Sequence, residues 1–153
     1  MDGEMRDGSG MVDVTDKPQI RRTATATGLI RLRAETIKAI SSRAVEKGDV
    51  LSTARVAALL AVKDTPRLIP MCHNIPITGI DVGLQVEGDR VQVRVTVTSL
   101  GQTGVEMEAL AGASAALLTV WDMVKSLEKD ATGNYPHTRI EEIKVVEKIK
   151  EVA

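Results

Sequence analysis

Phenylalanine is absent from this 153-residue chain, tryptophan and tyrosine occur once each, and cysteine occurs once, as Cys72. An aromatic content of 1% leaves essentially no stacking platform for single-stranded nucleic acid. A lone thiol excludes an intrachain disulfide and a multi-cysteine zinc site. Neither sign of charge dominates: 20 basic against 21 acidic residues give a formal charge of −1. No bulk attraction to nucleic acid or to an anionic membrane is therefore expected. No apolar run of membrane-spanning length stands out, and residues 1–10, being acidic, polar and glycine-containing, do not read as a signal peptide. A cytoplasmic protein is the expectation. Walker loops, dinucleotide fingerprints and His-Glu-x-x-His motifs are also missing.

What is present suits one domain, with residues 1–10 as a disordered leader and residues 11–153 as the folded unit. A chain of this length buries roughly 70% of the surface its unfolded form exposes. Its core must be built from Val, Ile, Leu, Ala and Met, which are small enough that subunit association would add to stability. The Thr/Ala alternation over residues 19–32 predicts a strand. Residues 34–45 predict a helix closed by Lys47-Gly48-Asp49, and residues 52–62 a second, with Asp49 or Ser52 as N-cap and Pro66 and Pro70 as breakers. Ile80, Val82, Leu84 and Val86, then Val91, Val93, Val95 and Val97, alternate with polar residues around Gly88-Asp89, which predicts a hairpin with one buried face. A long helix is predicted over residues 105–129. Residues 140–149 fit a strand or a frayed helix. This order implies an α+β sandwich with helices on one face of an antiparallel sheet.

The long helix carries the most information. At about 100° per residue, Leu110, Ala113, Leu117, Val120, Trp121 and Val124 share one arc and should face the sheet. Glu108, Gly112, Ala115, Thr119 and Asp122 fall on the opposite arc, whose small side chains would admit a ligand or a second helix; a dimer seam with charges at its rim is the plainer reading. Asp122 and Lys125, three apart, reach one point in space. They form either a surface ion pair worth a few tenths of a kcal/mol or a proton donor–acceptor couple. Glu106 and Glu108 would point about 160° apart in regular helix, so they share a site only if Glu106 lies at its very start. Alternatively both serve the helix macrodipole. Glu108 and Asp122 are separated by about 21 Å of rise, too far to touch one reacting atom. One site using both ends needs a long ligand or a second subunit whose helix runs antiparallel.

Elsewhere, His73 lies in the Met-Cys-His-Asn-Ile-Pro run, which is either surface loop or pocket wall. Cys72 reads as a small buried residue with no activating partner in sequence. Lys47 could present its ammonium to a phosphate from a tight turn or could simply be solvated. A metal site is expected only if His73 and His137 converge with carboxylates.

Taken together, Met11-Val12-Asp13-Val14, Lys47-Gly48-Asp49-Val50, Thr53-Ala54-Arg55, Leu68-Ile69-Pro70-Met71-Cys72-His73, the Thr-Gly-Val-Glu-Met-Glu-Ala-Leu run from Thr103 and Asp122-Met123-Val124-Lys125 resemble the MoaC family of cyclic pyranopterin monophosphate synthases, in family order. The resemblance implies a ferredoxin-like lyase of molybdenum cofactor biosynthesis that rearranges a cyclised dihydro-GTP and expels pyrophosphate. It also implies a homohexamer, a trimer of dimers with its pockets at the dimer interface, and no nucleic-acid or membrane partner.

Residues matched by position are Asp13, Lys47, Met71, Cys72, His73, Glu106, Met107, Glu108, Asp122, Lys125 and Lys148. Asp122 and Lys125 would be the acid–base couple, with Lys47 beside them. His73, Lys148 and Lys47 would meet the triphosphate. Glu106 and Glu108 would accept from the guanine-derived ring, and Asp13 would orient a lysine. No resident metal is implied, although Mg could accompany the triphosphate. The pattern departs at Asn74, where many members carry proline, and at the end, which lacks the glycine- and lysine-rich tail of many relatives. Other readings are a non-catalytic oligomeric ligand-binding module of ferredoxin-like fold, and a metal-dependent hydrolase using His73, Glu106 and Glu108.

Overall fold

A computed structural model of the chain describes residues 10–151, so the expected leader over residues 1–10 falls, apart from Gly10, outside them. Along the chain run β1 (Ile20–Arg31), α1 (Ala34–Ser41), α2 (Val50–Leu68), β2 (Ile77–Glu87), β3 (Arg90–Gly101), α3 (Glu106–Glu128) and β4 (Arg139–Glu151). The strands make one antiparallel sheet in the order β2-β3-β1-β4. This is the ferredoxin-like arrangement, with α1 and α2 together forming the first crossover.

Alternation decides which strand face is buried. Ala24, Ala26 and Ile30 of β1 and Val91, Val93, Val95 and Val97 of β3 are almost fully buried. Their polar neighbours form the opposite face, where the Thr25 and Thr96 hydroxyls pair at 2.9 Å. Because α3 packs over β1, β3 and β4 while α2 lies beside α3 and over β2, the core is a sheet–helix layer edged by a helix–helix contact. The ambiguous last segment is a strand, bulged opposite β1, with Glu142 at a φ of +56°.

Three helix boundaries differ from the sequence expectation. The first helix stops at Ser41 because Arg43 enters the left-handed region (φ +58°), and Ala44 and Arg43 N–H return to the Ala39 and Ile40 carbonyls at 2.8 and 3.2 Å. The second starts at Val50, capped by Asp49 accepting from Ser52 N–H at 3.0 Å, and continues through Pro66 to Leu68. Proline is tolerated there because it removes one amide bond in the last turn, and Ile69 N–H still reaches Thr65 O at 2.9 Å.

The rotation of α3 also differs. Glu108 and Gly112 are buried, whereas Leu110 and Trp121 are only half-buried. A helix covered by both a sheet and α2 buries a wider arc than its apolar stripe marks. Gly112 is where α2 of the same chain comes closest: a Cβ there would lie 2.8 Å from Val62 Cγ2, 3.1 Å from Val95 Cγ1 and 3.4 Å from Ala58 O. By length and apolar composition α3 could cross a bilayer, contrary to the sequence reading, but half of its apolar window is buried in this fold.

Candidate active site

Titratable side chains gather at both ends of α3. At its C-terminal end, Asp122 projects into solvent and Lys125, one turn on, places Nζ 3.1 Å from Asp122 Oδ1. The turn between α1 and α2, made possible by Gly48 at φ +114°, delivers Lys47. Its Nζ donates to Asp122 O at 3.1 Å and lies 3.5 Å from Asp122 Oδ2. One carboxylate is thus flanked by two ammonium groups. The hydrogen bond from Lys125, then the charges of Lys125 and Lys47, hold Asp122 below its ordinary range. An acid so held stays ionised and is a weak base. Its nearest cationic partner is the Lys125 ammonium, at 3.1 Å.

At the N-terminal end the environment is closed. Glu106 is the first residue of α3, after Val105 as N-cap, which meets the geometric condition for it to share a site with Glu108. Lys148, brought in on β4 opposite Ala24, donates from Nζ to Glu106 Oε1 at 2.6 Å. Burial pushes the Glu106 carboxyl up, but the Lys148 hydrogen bond and a helix-start N–H outweigh it, and the net shift is downward. A Cβ at Gly104 would push the Glu106 carboxylate, the far end of a flexible side chain, out of its present place. Glu108 is 1% exposed, with Oε2 3.6 Å from Cys72 Sγ and Oε1 buried without a partner. Burial raises the Glu108 carboxyl, and burial followed by the Glu108 charge pushes the Cys72 thiol up to about 11. Cys72 therefore has a partner that sequence did not reveal, and that partner makes it less reactive rather than more.

His73 Nε2–H donates to Val12 O at 2.5 Å, so the segment of residues 11–17 is strapped against this loop. Asp13 does not reach a lysine: its carboxylate accepts from Thr15 N–H at 2.9 Å and from the Thr15 hydroxyl, closing a local turn. Met71 and Met107 are half-exposed.

The sequence therefore named two groups of residues, and the single chain keeps them apart, with Lys47, Asp122 and Lys125 at one end and Cys72, His73, Glu106, Glu108 and Lys148 at the other. The fourteen-residue separation of Glu108 and Asp122 along the helix spans about 21 Å. Among the described residues no three His, Cys, Asp or Glu side chains are placed to hold a metal ion. A cleft of about 590 Å³ opens on the sheet face away from the helices, lined by Thr27, Gln85, Gln92, Arg94 and Lys144, and none of the candidate residues lines it.

Sequence reasoning passed over Arg22, Ser99 and Gln102. Arg22 is buried and donates to Gly101 O at 3.2 Å and Gln102 O at 3.1 Å, shaping the approach to α3. Gln102 donates to Thr15 O and Lys17 O at 3.4 and 3.2 Å, anchoring the strap. A signal existed for two of them: Arg22 and Ser99 occupy inward positions of otherwise apolar alternations.

Fold and site together define a class: a ferredoxin-like α+β protein with an acid–lysine couple and a buried acid on its central helix. Residues 11–151 match the MoaC family, and the chain belongs to that family. It is 61% identical over 144 residues to a probable cyclic pyranopterin monophosphate synthase of Methanosarcina acetivorans, covering 94% of this chain and 91% of that one. With the protein of the same description from Aeropyrum pernix it shares 62% identity over 143 residues, covering 94% of this chain and 98% of the other. A relative from Methanothermobacter thermautotrophicus, 56% identical over 143 residues with 94% and 90% covered, is described as a probable cyclic pyranopterin monophosphate synthase accessory protein.

Proposed function

We propose that this protein is a cyclic pyranopterin monophosphate synthase. It converts 3',8-cyclo-7,8-dihydro-GTP to cyclic pyranopterin monophosphate with release of pyrophosphate, a phosphorus–oxygen lyase reaction of molybdenum cofactor biosynthesis in the cytoplasm. Family membership supports the reaction, and the observation that carries the mechanism is the convergence of Lys47 and Lys125 on Asp122. Lys125 supplies protons to the rearranging ring, Asp122 holds it in place, and Lys47 offsets charge that builds on the phosphate being closed. Pyrophosphate leaves more readily when cations meet it, a part that suits His73 and Lys148 at the other end. A magnesium ion travelling with the triphosphate would be held mainly by phosphate oxygens and water.

The working unit is a dimer inside a homohexamer, a trimer of dimers. Outward on α3 lie Met107, Ala111, Ala115, Leu118 and Asp122, with Met107 and Leu118 exposed. Ala115 stands midway between Glu108 and Asp122. Two α3 helices crossing antiparallel near Ala115 would bring the buried acid end of one chain to the Asp122–Lys125 end of the other, with small side chains at the crossing.

Incubating the pure protein with the cyclised dihydro-GTP should yield fluorescent pterin after oxidation, together with pyrophosphate. No pterin above a boiled control would overturn the reading. Co-expressing His73→Ala with Lys125→Ala chains should restore roughly a quarter of wild-type turnover, as random pairing leaves one intact site in each mixed dimer. No recovery over the separate variants would overturn the shared pocket.

A further inference from the structure

Among the described residues, two buried side-chain oxygens have no hydrogen-bond partner, Ser99 Oγ and Glu108 Oε1. Both belong to the same end of the sandwich, Ser99 near the end of β3 and Glu108 in the first turn of α3. A buried polar group left unpaired costs on the order of 1–3 kcal/mol, and a buried charge with one weak partner costs more. Such an atom in a native fold calls for a reason.

Resting on the synthase reading above, we infer that Glu108 meets the substrate as a neutral carboxylic acid, donating a hydrogen bond through Oε1, and that the Cys72 thiol is the positioning group that decides which oxygen carries the proton. Two groups favour the Glu108 anion, its own backbone N–H and the Cys72 thiol, and burial outweighs both, with no cation among the described residues paired to it. From the loop after α2, the Cys72 thiol is the side chain that reaches its carboxyl, with Sγ 3.6 Å from Oε2. On its own helix Glu106 is a second negative charge, which disfavours another nearby. Lys148 of β4 is committed to Glu106, and Arg22 of β1 to the Gly101 and Gln102 carbonyls. Ser99 of β3 contributes a hydroxyl, not a charge. His73, next to Cys72, is bound to Val12 O.

Burial, the largest cause of its upward shift, keeps the Cys72 thiol protonated at neutral pH whether or not Glu108 is charged, so Cys72 is the donor and Glu108 Oε2 the acceptor. The proton of the neutral acid then sits on Oε1, the oxygen with no partner. A donor waiting for an acceptor fits a ring carbonyl or an imine-type nitrogen of the guanine-derived base. A carboxylate in the same place would instead call for the exocyclic amine. Oε1 is sealed from solvent in the structure, so a ligand reaches it only when the groups covering it move.

The test has a spectroscopic and a kinetic arm, both on the full chain. In the substrate-free protein at neutral pH, the infrared difference spectrum between wild type and Glu108→Gln should contain a protonated carboxyl C=O band that shifts in D2O. Cys72→Ala should move that band and Cys72→Ser should restore it; a band unmoved in Cys72→Ala overturns the positioning role. In turnover of the cyclised dihydro-GTP, Glu108→Gln keeps a donor and should stay within about tenfold of wild type in kcat/KM. A fall beyond about 100-fold in folded Glu108→Gln would mark a lost carboxylate acceptor and overturn the inference. No carboxyl band in an active enzyme sinks this inference alone. A band in a wild-type protein that never turns over the substrate sinks the synthase reading, and with it the acceptor assigned to Oε1.

Discussion

Glu108 and Glu128 are both 1% exposed, and both lie on α3, near its opposite ends. Glu128 is saturated: it accepts from the Thr36 hydroxyl, from the Thr138 hydroxyl at 2.7 Å and from Arg33 N–H at 3.1 Å. Those donors come from α1, from the approach to β4 and from the β1–α1 junction, so one carboxylate ties three parts of the chain to the end of the helix. Glu108 has one thiol and an idle oxygen. The same residue type, at the same burial on the same helix, is a fastener where its partners are complete and a candidate ligand-binding group where they are not. Burial alone therefore does not mark a functional acid; the count of unmet hydrogen bonds does.

The exposed charges at the C-terminal end of α3 contrast with the buried Glu128 beside them. Asp122, Lys47 and Lys125 are each about half-exposed, and exposed pairs of this kind contribute little to stability. Removing them should spare the fold and cost the chemistry. Lys125→Ala is expected to lower turnover by roughly 10²–10⁴ with an unchanged thermal midpoint. Equal losses of turnover and of midpoint would erase the distinction between these exposed charges and the buried fastener Glu128.

Glu128→Ala should do the opposite. It strands two hydroxyls and an amide inside the fold, so unfolding in urea should show a loss of about 3 kcal/mol, while the protein that remains folded keeps its kcat. A smaller expected effect sits midway along the helix. Gly112→Ala pushes a methyl group against Val62, Val95 and the Ala58 carbonyl, and should cost roughly 1–3 kcal/mol by the same measurement. A neutral result would mean that α2 and α3 can part without strain.

The mildest test is pH. Glu106 is shifted below its ordinary 4.5, so its contribution to stability is present above 4.5 and is lost as pH falls through the lower folded value. Glu108 is shifted above 4.5, so its contribution is complete below 4.5 and is lost as pH rises through the higher folded value. Urea midpoints against pH should flatten on the acid limb in Glu106→Gln and on the opposite limb in Glu108→Gln. Identical profiles in the two variants would contradict these opposite surroundings.

Much of this was legible in the residues themselves. The β2–β3 hairpin is written twice over, in the alternation of valines with polar residues and in Gly88-Asp89 between them. The length of α3 follows from an apolar run bounded by Gly104 and by the polar stretch after Glu128. The distance between its charged ends follows from helical rise alone, so the case for a second chain needed no coordinates. Pro66 was misleading because local chemistry marks a breaker wherever proline falls, whereas a last helical turn loses only one bond to it.

Patterns and spacings determined the strands, the long helix, the family motifs and the separation of the two charged ends, because these depend on periodicities of about 2.0 and 3.6 residues that any stretch of chain carries within itself. Only the tertiary structure decided that Glu108 points inward toward Cys72, that α2 is the helix received at Gly112, and that Lys47 meets Asp122 and Lys148 meets Glu106. Each of those contacts joins residues at least 36 positions apart, as Cys72 and Glu108 are, and such pairs become neighbours only once the sheet and helices have closed on one another.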